Sequence, residues 1–231
     1  MFFRKQNILK SGLLDGFTDR HTHLLPGVDD GFRTLGDTLE ALAYMESAGV
    51  AEIWLTPHIM EDIPNTTGFL RERYGELSEA YKGPIKLNLA SENMLDNLFE
   101  ERLEADDLLP MEDNLLLIET SYFNPPIDLQ KMLGDIVAKG YRPLLAHPER
   151  YKYMDDSHYA RLKRQGVLFQ LNLGAISGGY SKTTQQKASS LLRQGYYDFA
   201  GSDCHNLRHY QSAVTAPVHS KDLKSLLQIA R

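Results

Sequence analysis

The sequence has a single cysteine, Cys204, in 231 residues. That excludes an internal disulfide framework and a structural zinc site of four thiolates, and it suits a reducing compartment. A long apolar run is also lacking. The start, MFFRKQNILKSGLLDGF, has too short a hydrophobic stretch beside its basic residues for a secretory signal, and nothing later reaches the length of a membrane span. A cytoplasmic protein without membrane insertion is expected. No long basic run occurs and the formal net charge is -6, which argues against nucleic acid as the main partner. An anionic substrate then needs a local positive cluster, which metal ions could supply. No low-complexity linker breaks the chain, so one domain over residues 1–231 is expected.

What is present suits a folded enzyme-sized domain. Hydrophobic residues make up 42% and charged residues 24%, enough to build a sizeable core. β-rich runs lead to polar tips and then to amphipathic segments. FTDRHTH precedes TLGDTLEALAYMESAG, where Leu35, Leu39, Leu42 and Met45 or Ala43 recur near helical spacing. AEIWLTPH precedes a loop and FLRERYGELSEAYKG; IKLNLASENM and NLLLIETS follow; DLQKMLGDIVAKG stands before YRPLLAHPE. After another helix come VLFQLNLGAIS, the helix TTQQKASSLLRQG, the strand DFAGSDCH and a closing helix near 221–230. Several helices end at glycine (Gly49, Gly140, Gly166, Gly195), as a left-handed C-cap prefers. About seven strands alternating with helices imply a parallel α/β sheet. Their number and apolar character favour closure into a (β/α) barrel over an open sheet.

The polar residues gather at strand ends. His21 and His23 end the first strand and His58 the second; Glu92 lies near the end of the third; Glu119, His147, Asp203 and His205 end later ones. Residues two apart on a strand share a face, so His21 and His23 point together, and Asp203 and His205 repeat the arrangement around Cys204. The C-terminal rim of a parallel barrel is where such folds build active sites. Each residue alone reads as an ordinary strand-end or turn side chain. Together, imidazoles and carboxylates buried under one rim are costly unless paired or metallated. His158, His209 and His219 fall on helices or loops and read as structural.

Imidazole and carboxylate without thiolate favour manganese, iron or zinc. The set, with Asp30 from the loop after His23, is too large for one ion. Roughly two or three ions sharing a bridging carboxylate are expected, with Glu119 as the bridge.

With these residues placed, the chain resembles the polymerase and histidinol phosphatase (PHP) superfamily. The resemblance is carried by His21-Thr22-His23, His58 in TPH, His147 in AHPER and Asp203-Cys204-His205. HTHLLPGVDDG, TPHI followed by PNT, IETS, AHPERY and SDCHN resemble, more narrowly, the bacterial manganese-dependent protein-tyrosine phosphatases found with capsule and exopolysaccharide synthesis genes. The resemblance implies a distorted (β/α)7 barrel of the TIM-like PHP type. It implies His21, His23, Glu119 and Asp203 around one ion, with Glu119 also touching a second ion bound by His147. Asp30, His58, Glu92 and His205 would complete the second and third positions, with Asp29 the neighbouring alternative to Asp30. It further implies a partner, the phosphotyrosine-bearing tail of a bacterial tyrosine kinase.

Divalent ions lower the pKa of bound water and hold phosphoryl oxygens for in-line displacement, so no covalent phosphoenzyme is needed. Arg150 and Arg208 are the candidate phosphate clamps, because guanidinium can bind phosphate through two charge-assisted bonds. A phenol leaving group, with a pKa of about 10, departs without demanding a strong general acid, and none is assigned. SYFNPP at 121–126 and ERYKY at 149–153 could pack on a substrate ring or simply on each other. Thiol-based phosphatases resemble one another in a loop with five residues between cysteine and arginine. Tyr210 stands where that arginine would be and Arg208 comes too early, so Cys204 reads as a small buried residue. Two alternatives stand beside the tyrosine phosphatase: a small-molecule phosphoesterase such as a histidinol phosphatase, and a metal-binding scaffold without catalysis. A carboxylated-lysine amidohydrolase is disfavoured, since Glu119 occupies the place of the lysine.

Overall fold

The computed structural model describes residues 5–230. The first four residues of MFFRKQNILKSGLLDGF, where no secretory leader is expected, lie outside the described residues.

Strand β1 (Lys5–Asn7) precedes β2 (Thr18–Thr22), α1 (Leu35–Ser47), β3 (Glu52–Leu55), β4 (His58–Ile59) and α2 (Thr67–Ala80). Then come β5 (Lys86–Leu89), β6 (Glu92–Met94), α3 (Asn97–Ala105), β7 (Leu115–Glu119), α4 (Leu129–Ala138) and β8 (Arg142–Ala146). The chain continues through α5 (Asp156–Arg164), β9 (Leu168–Asn172), α6 (Leu173–Ile176) and α7 (Lys182–Arg193). It closes with β10 (Phe199–Gly201), α8 (Leu207–Thr215), β11 (Pro217–His219) and α9 (Ser220–Ile229).

The parallel sheet has two hydrogen-bonded segments, β10-β9-β8-β7-β6-β4 and β2-β3-β5. β3 and β4 are pieces of one strand path interrupted at Thr56–Pro57, and β5 and β6 of another interrupted at Ala90–Ser91. The first and last paths meet where Thr22 bridges Cys204, His23 N–H donates to Cys204 O (3.0 Å) and Asp203 N–H to His21 O (2.7 Å). Counting each interrupted path once, the expected distorted (β/α)7 arrangement is present.

Side-chain alternation explains what fills it. On β7, Leu116 and Ile118 join the large apolar core under the helices, whereas Leu115 and Leu117 join a second cluster with Trp54, Ala90, Leu144 and Ala146. Successive residues point to opposite faces of a strand, so that second cluster is the inward row, and Glu119 is the next residue in it. Glu92 likewise follows Ala90 two residues on, and His58 lies four beyond Trp54. The sheet interior is thus apolar at its floor and polar at the C-terminal ends.

Most helices fall where periodicity places them. α1 starts at Thr34, whose Oγ1 accepts from Asp37 N–H (3.2 Å), and buries Thr38, Ala41, Leu42 and Met45; Leu35, expected on that face, is exposed. The four glycines expected to end helices all have positive φ. Two features depart from the sequence reading. α3 intervenes between strands read as consecutive, capped by Asp96 accepting from Leu98 N–H (3.1 Å). β1 also pairs antiparallel with β11, joining residues near the two ends of the chain. No described helix is long and apolar enough to cross a membrane.

Candidate metal centre

Glu92 is fully buried at the middle of the polar rim. Its Oε2 lies 3.1 Å from His21 Nε2, 3.3 Å from His23 Nε2 and 3.2 Å from His58 Nδ1, while Oε1 lies 3.1 Å from His147 Nε2. Around it three sets of donor atoms converge: His21, His23, Glu92 and Asp203; His58, Glu92 and Glu119; and His23, Asp30, His58 and His205. The first two sets are buried, and the third opens to solvent through Asp30.

The structure therefore brings together all nine residues expected as ligands: His21, His23, Asp30, His58, Glu92, Glu119, His147, Asp203 and His205. Their grouping departs from the expectation. Glu92, rather than Glu119, stands with His21, His23 and Asp203; Glu119 reaches only His58 Nδ1 (3.1 Å) and, at 3.8 Å, His147 Nε2. The interrupted third strand path places Glu92 farther into the centre than its position in ASENML suggests.

Donor atoms that face one another without bonding are the mark of a cation site. Glu92 Oε2, Glu119 Oε1 and His58 Nδ1 are buried and have no hydrogen-bond partner, although His58 Nδ1 lies within about 3.2 Å of both oxygens. The nitrogen and the two oxygens stand close together with no hydrogen bond between them. Leaving such atoms unpaired costs about 1–3 kcal/mol each; a divalent cation satisfies them together.

The remaining ring nitrogens are held from behind. His21 Nδ1–H donates to Gln170 Oε1 (2.9 Å) and His23 Nδ1–H to Asp29 Oδ2 (2.8 Å), which turns each Nε2 toward the centre. Asp29 Oδ2 also accepts from the His58 backbone N–H (3.1 Å). The adjacent aspartates thus divide the work: Asp29 orients two histidines, and Asp30 faces His58 (3.6 Å) and His205 (3.3 Å). Gly31 permits this loop, because a Cβ there would stand 2.2 Å from His23 O. DxH is not regular strand: β10 ends at Gly201, and Asp203 takes a left-handed φ of 53°. His147 is also left-handed, at 36°.

Arg150 reaches the centre, donating from Nη1 to Asp203 Oδ2 (2.9 Å). Arg208 does not. It is exposed on α8 with no side-chain hydrogen bond or ion pair among the described residues. Two residues missed in the sequence do belong here: Asn172, whose Nδ2 donates to Asp203 Oδ2 (2.8 Å), and Tyr180, whose hydroxyl lies 3.4 Å from the same oxygen. Asn172 had a signal, being the polar end of an inward row that runs Leu168, Gln170, Asn172; Tyr180, in a loop, had none. Arg150, Asp203, His205, Asp30, Tyr180 and His209 border a cavity of about 420 Å³. Of the rim aromatics, Tyr151 is buried with its hydroxyl on Ala146 O (3.0 Å), so it packs inside the protein. Cys204 is buried, and burial holds its thiol well above the ordinary range.

Charge follows from this packing. Burial works against a charged His21, yet the Glu92 and Asp203 carboxylates raise it to about 9. Burial opposes the charged His23 in the same way, and Asp29, Asp203 and Glu92 hold it above its usual value. The His205 imidazole pushes Asp30 down to about 2. Burial, with Arg150 nearby, lowers His147. A cation entering the innermost set must displace protons from His21 and His23. Calorimetric loading of the metal-free protein at neutral pH should therefore give enthalpies that vary with buffer ionisation enthalpy; identical enthalpies would mean that both rings are already neutral.

The model of the capsular polysaccharide synthesis family CpsB/CapC matches residues 17–220. The chain belongs to that family. It is 28% identical over 207 residues to the tyrosine-protein phosphatase YwqE of Bacillus subtilis, covering 85% of this chain and 82% of YwqE. It is 26% identical to the tyrosine-protein phosphatase CpsB of Streptococcus pneumoniae, with coverage of 82% and 83%. A solved structure described among those of YwqE and CpsB as unique metal-dependent tyrosine phosphatases superposes with a TM-score of 0.81 at 25% identity, covering 92% of this chain and 90% of that one. A histidinol phosphate phosphatase of Lactococcus lactis, complexed with zinc, L-histidinol and phosphate, shares the fold at TM-score 0.56 and 15% identity, covering 93% and 94%.

Proposed function

We propose that this CpsB/CapC family member is a metal-dependent protein-tyrosine phosphatase, with His21, His23, Asp30, His58, Glu92, Glu119, His147, Asp203 and His205 as metal ligands and Arg150 on the phosphoryl group. The observation that carries the reading is the convergence of unpaired, buried donor atoms on Glu92 beneath a rim that also holds Arg150. The favoured metal is manganese, in roughly two or three sites, with iron or zinc as alternatives suited to the same donors. Bound there, the ions supply a hydroxide nucleophile at neutral pH and neutralise phosphoryl charge. The chain's own residues orient and exclude: Gln170 and Asp29 fix the imidazoles, the apolar floor keeps water from below, and Arg150 presents a charged fork at the cavity. The phosphoryl group would enter through the solvent-facing set at Asp30 and His205, so an extended tail can reach it without unfolding its parent protein.

The substrate is a phosphotyrosine-bearing protein in the cytoplasm, the tail of a bacterial tyrosine kinase acting in capsule or exopolysaccharide synthesis, and the domain is the whole chain, 1–231. Phe123 and Ile127 lie exposed in the loop that follows Glu119, an open apolar rim better suited to a peptide than to a small polar metabolite.

The test is the initial rate on a phosphotyrosine peptide, a phosphoserine peptide and histidinol phosphate, using metal-stripped protein reloaded with manganese. The phosphotyrosine peptide should be preferred, with the rate lost on stripping and regained on reloading. Faster hydrolysis of histidinol phosphate would move the function to small-molecule metabolism, and activity that survives full chelation would rule out the metal chemistry.

A further inference from the structure

Arg150 is held in a way that a surface arginine is not. Its guanidinium carbon stands 4.3 Å from the centroid of Tyr122 and 4.7 Å from that of Tyr180, so both rings lie against the group. Nη1 donates to Asp203 Oδ2 (2.9 Å). The other side-chain N–H groups have no protein acceptor among the described residues, and the residue borders the cavity.

Tyr180 touches a second element of the centre. Asn172 Nδ2 donates to the Tyr180 hydroxyl (2.9 Å) and to Asp203 Oδ2 (2.8 Å), and that hydroxyl is 3.4 Å from Asp203 Oδ2. One carboxylate oxygen is thereby tied to Arg150, Asn172 and Tyr180. The other, Oδ1, is left facing His205 (3.3 Å), His23 (3.4 Å) and His21 (3.5 Å). The loop that brings Tyr180 here passes over Gly174, where a Cβ would stand 3.2 Å from the Tyr180 ring and 3.1 Å from Asn172 Oδ1.

We propose that Tyr180 is a positioning residue for the phosphate clamp: with Tyr122 it packs an aromatic ring against Arg150, and with Asn172 it anchors the Asp203 oxygen through its hydroxyl. A guanidinium over two aromatic rings is attracted to both, which restricts where its planar set of donors can lie. Arg150 borders the cavity with donors left over, so a phosphoryl oxygen there can take a charge-assisted bond without first ordering a long side chain. The ring thus governs phosphate affinity, and the hydroxyl acts on a carboxylate of the metal centre. The inference rests on the phosphatase reading and adds to it the residue that sets the clamp.

The two roles separate by substitution. Binding of inorganic phosphate to the manganese-loaded full chain, measured by calorimetry, should weaken about five- to tenfold in Tyr180→Leu. KM for a phosphotyrosine peptide should rise by a similar factor in Tyr180→Leu but not in Tyr180→Phe, whereas kcat, which follows the hydroxyl on Asp203, should fall alike in both. Tyr180→Phe keeps the ring and should restore phosphate binding to within about twofold of wild type. Tyr122→Leu, which removes the other ring, should weaken phosphate binding like Tyr180→Leu and decides the matter if Tyr180→Leu does not fold. Wild-type phosphate affinity in both leucine variants, or equal losses of that affinity in Tyr180→Phe and Tyr180→Leu, would overturn the clamp while leaving the phosphatase reading in place. A loaded wild-type protein that neither binds phosphate nor hydrolyses the peptide would overturn both.

Discussion

Glu92→Gln should reduce turnover of a phosphotyrosine peptide by about a thousandfold, more than the roughly 10–100-fold that follows loss of a group supporting a metal ligand from behind. The side chain would keep its size and its inward place after Ala90, so the fold should survive. What changes is charge. One carboxylate here lies within 3.3 Å of His21, His23, His58 and His147 and belongs to both buried donor sets, so neutralising it weakens both at once. Glu119→Gln touches one buried set and should cost less in rate and in metal content. Elemental analysis of the two purified variants, beside their rates, checks the order. A larger loss of metal and rate in Glu119→Gln would restore Glu119 as the shared carboxylate, the role the sequence had suggested for it.

That disagreement shows where sequence reasoning reaches its limit. His21 and His23 were legible because strand geometry has a period of two, and their Nε2 atoms do approach within 3.1 Å. The same period locates Glu119 as the inward residue above Leu115 and Leu117. It does not locate Glu92 in depth, because the strand path breaks at Ala90–Ser91 and the break is set by neighbours across the sheet: Ala90 N–H donates to Leu55 O and Glu92 N–H to Pro57 O. Strand alternation predicts Asp203 and His205 on one face. Their side chains do meet, at 3.3 Å, but a left-handed turn at Asp203 brings them together. The barrel was legible for a simpler reason, since each strand–helix unit announces itself locally. The pairing of β1 with β11 joins residues over two hundred positions apart through short strands with no distinctive pattern, and nothing local could signal it.

Arg150→Ala should lower kcat/KM for the phosphotyrosine peptide by about a hundredfold, whereas Arg208→Ala should stay within about twofold of wild type. Sequence treats the two alike, because each closely follows a metal-binding motif. Structure separates them by what stops each chain segment. After His147 the chain turns at once into the short helical turn Pro148–Arg150, which carries Arg150 back over the centre to Asp203. After His205, Asn206 caps α8 by accepting from His209 N–H (2.9 Å), and the helix that begins at Leu207 leaves Arg208 exposed. Loss of Arg150 removes a charged partner of Asp203 as well as a phosphate donor, so metal content must be measured beside the rate. A drop in rate with metal retained assigns the effect to phosphoryl binding. Arg150→Lys separates charge from shape: a lysine ammonium restores the charge but neither the planar fork nor the stacking surface. It should recover less than about a tenth of the lost kcat/KM. Full recovery by lysine would mean that positive charge alone is what the centre needs from position 150, and a loss in Arg208→Ala equal to that in Arg150→Ala would mean that α8 moves over the site when substrate binds.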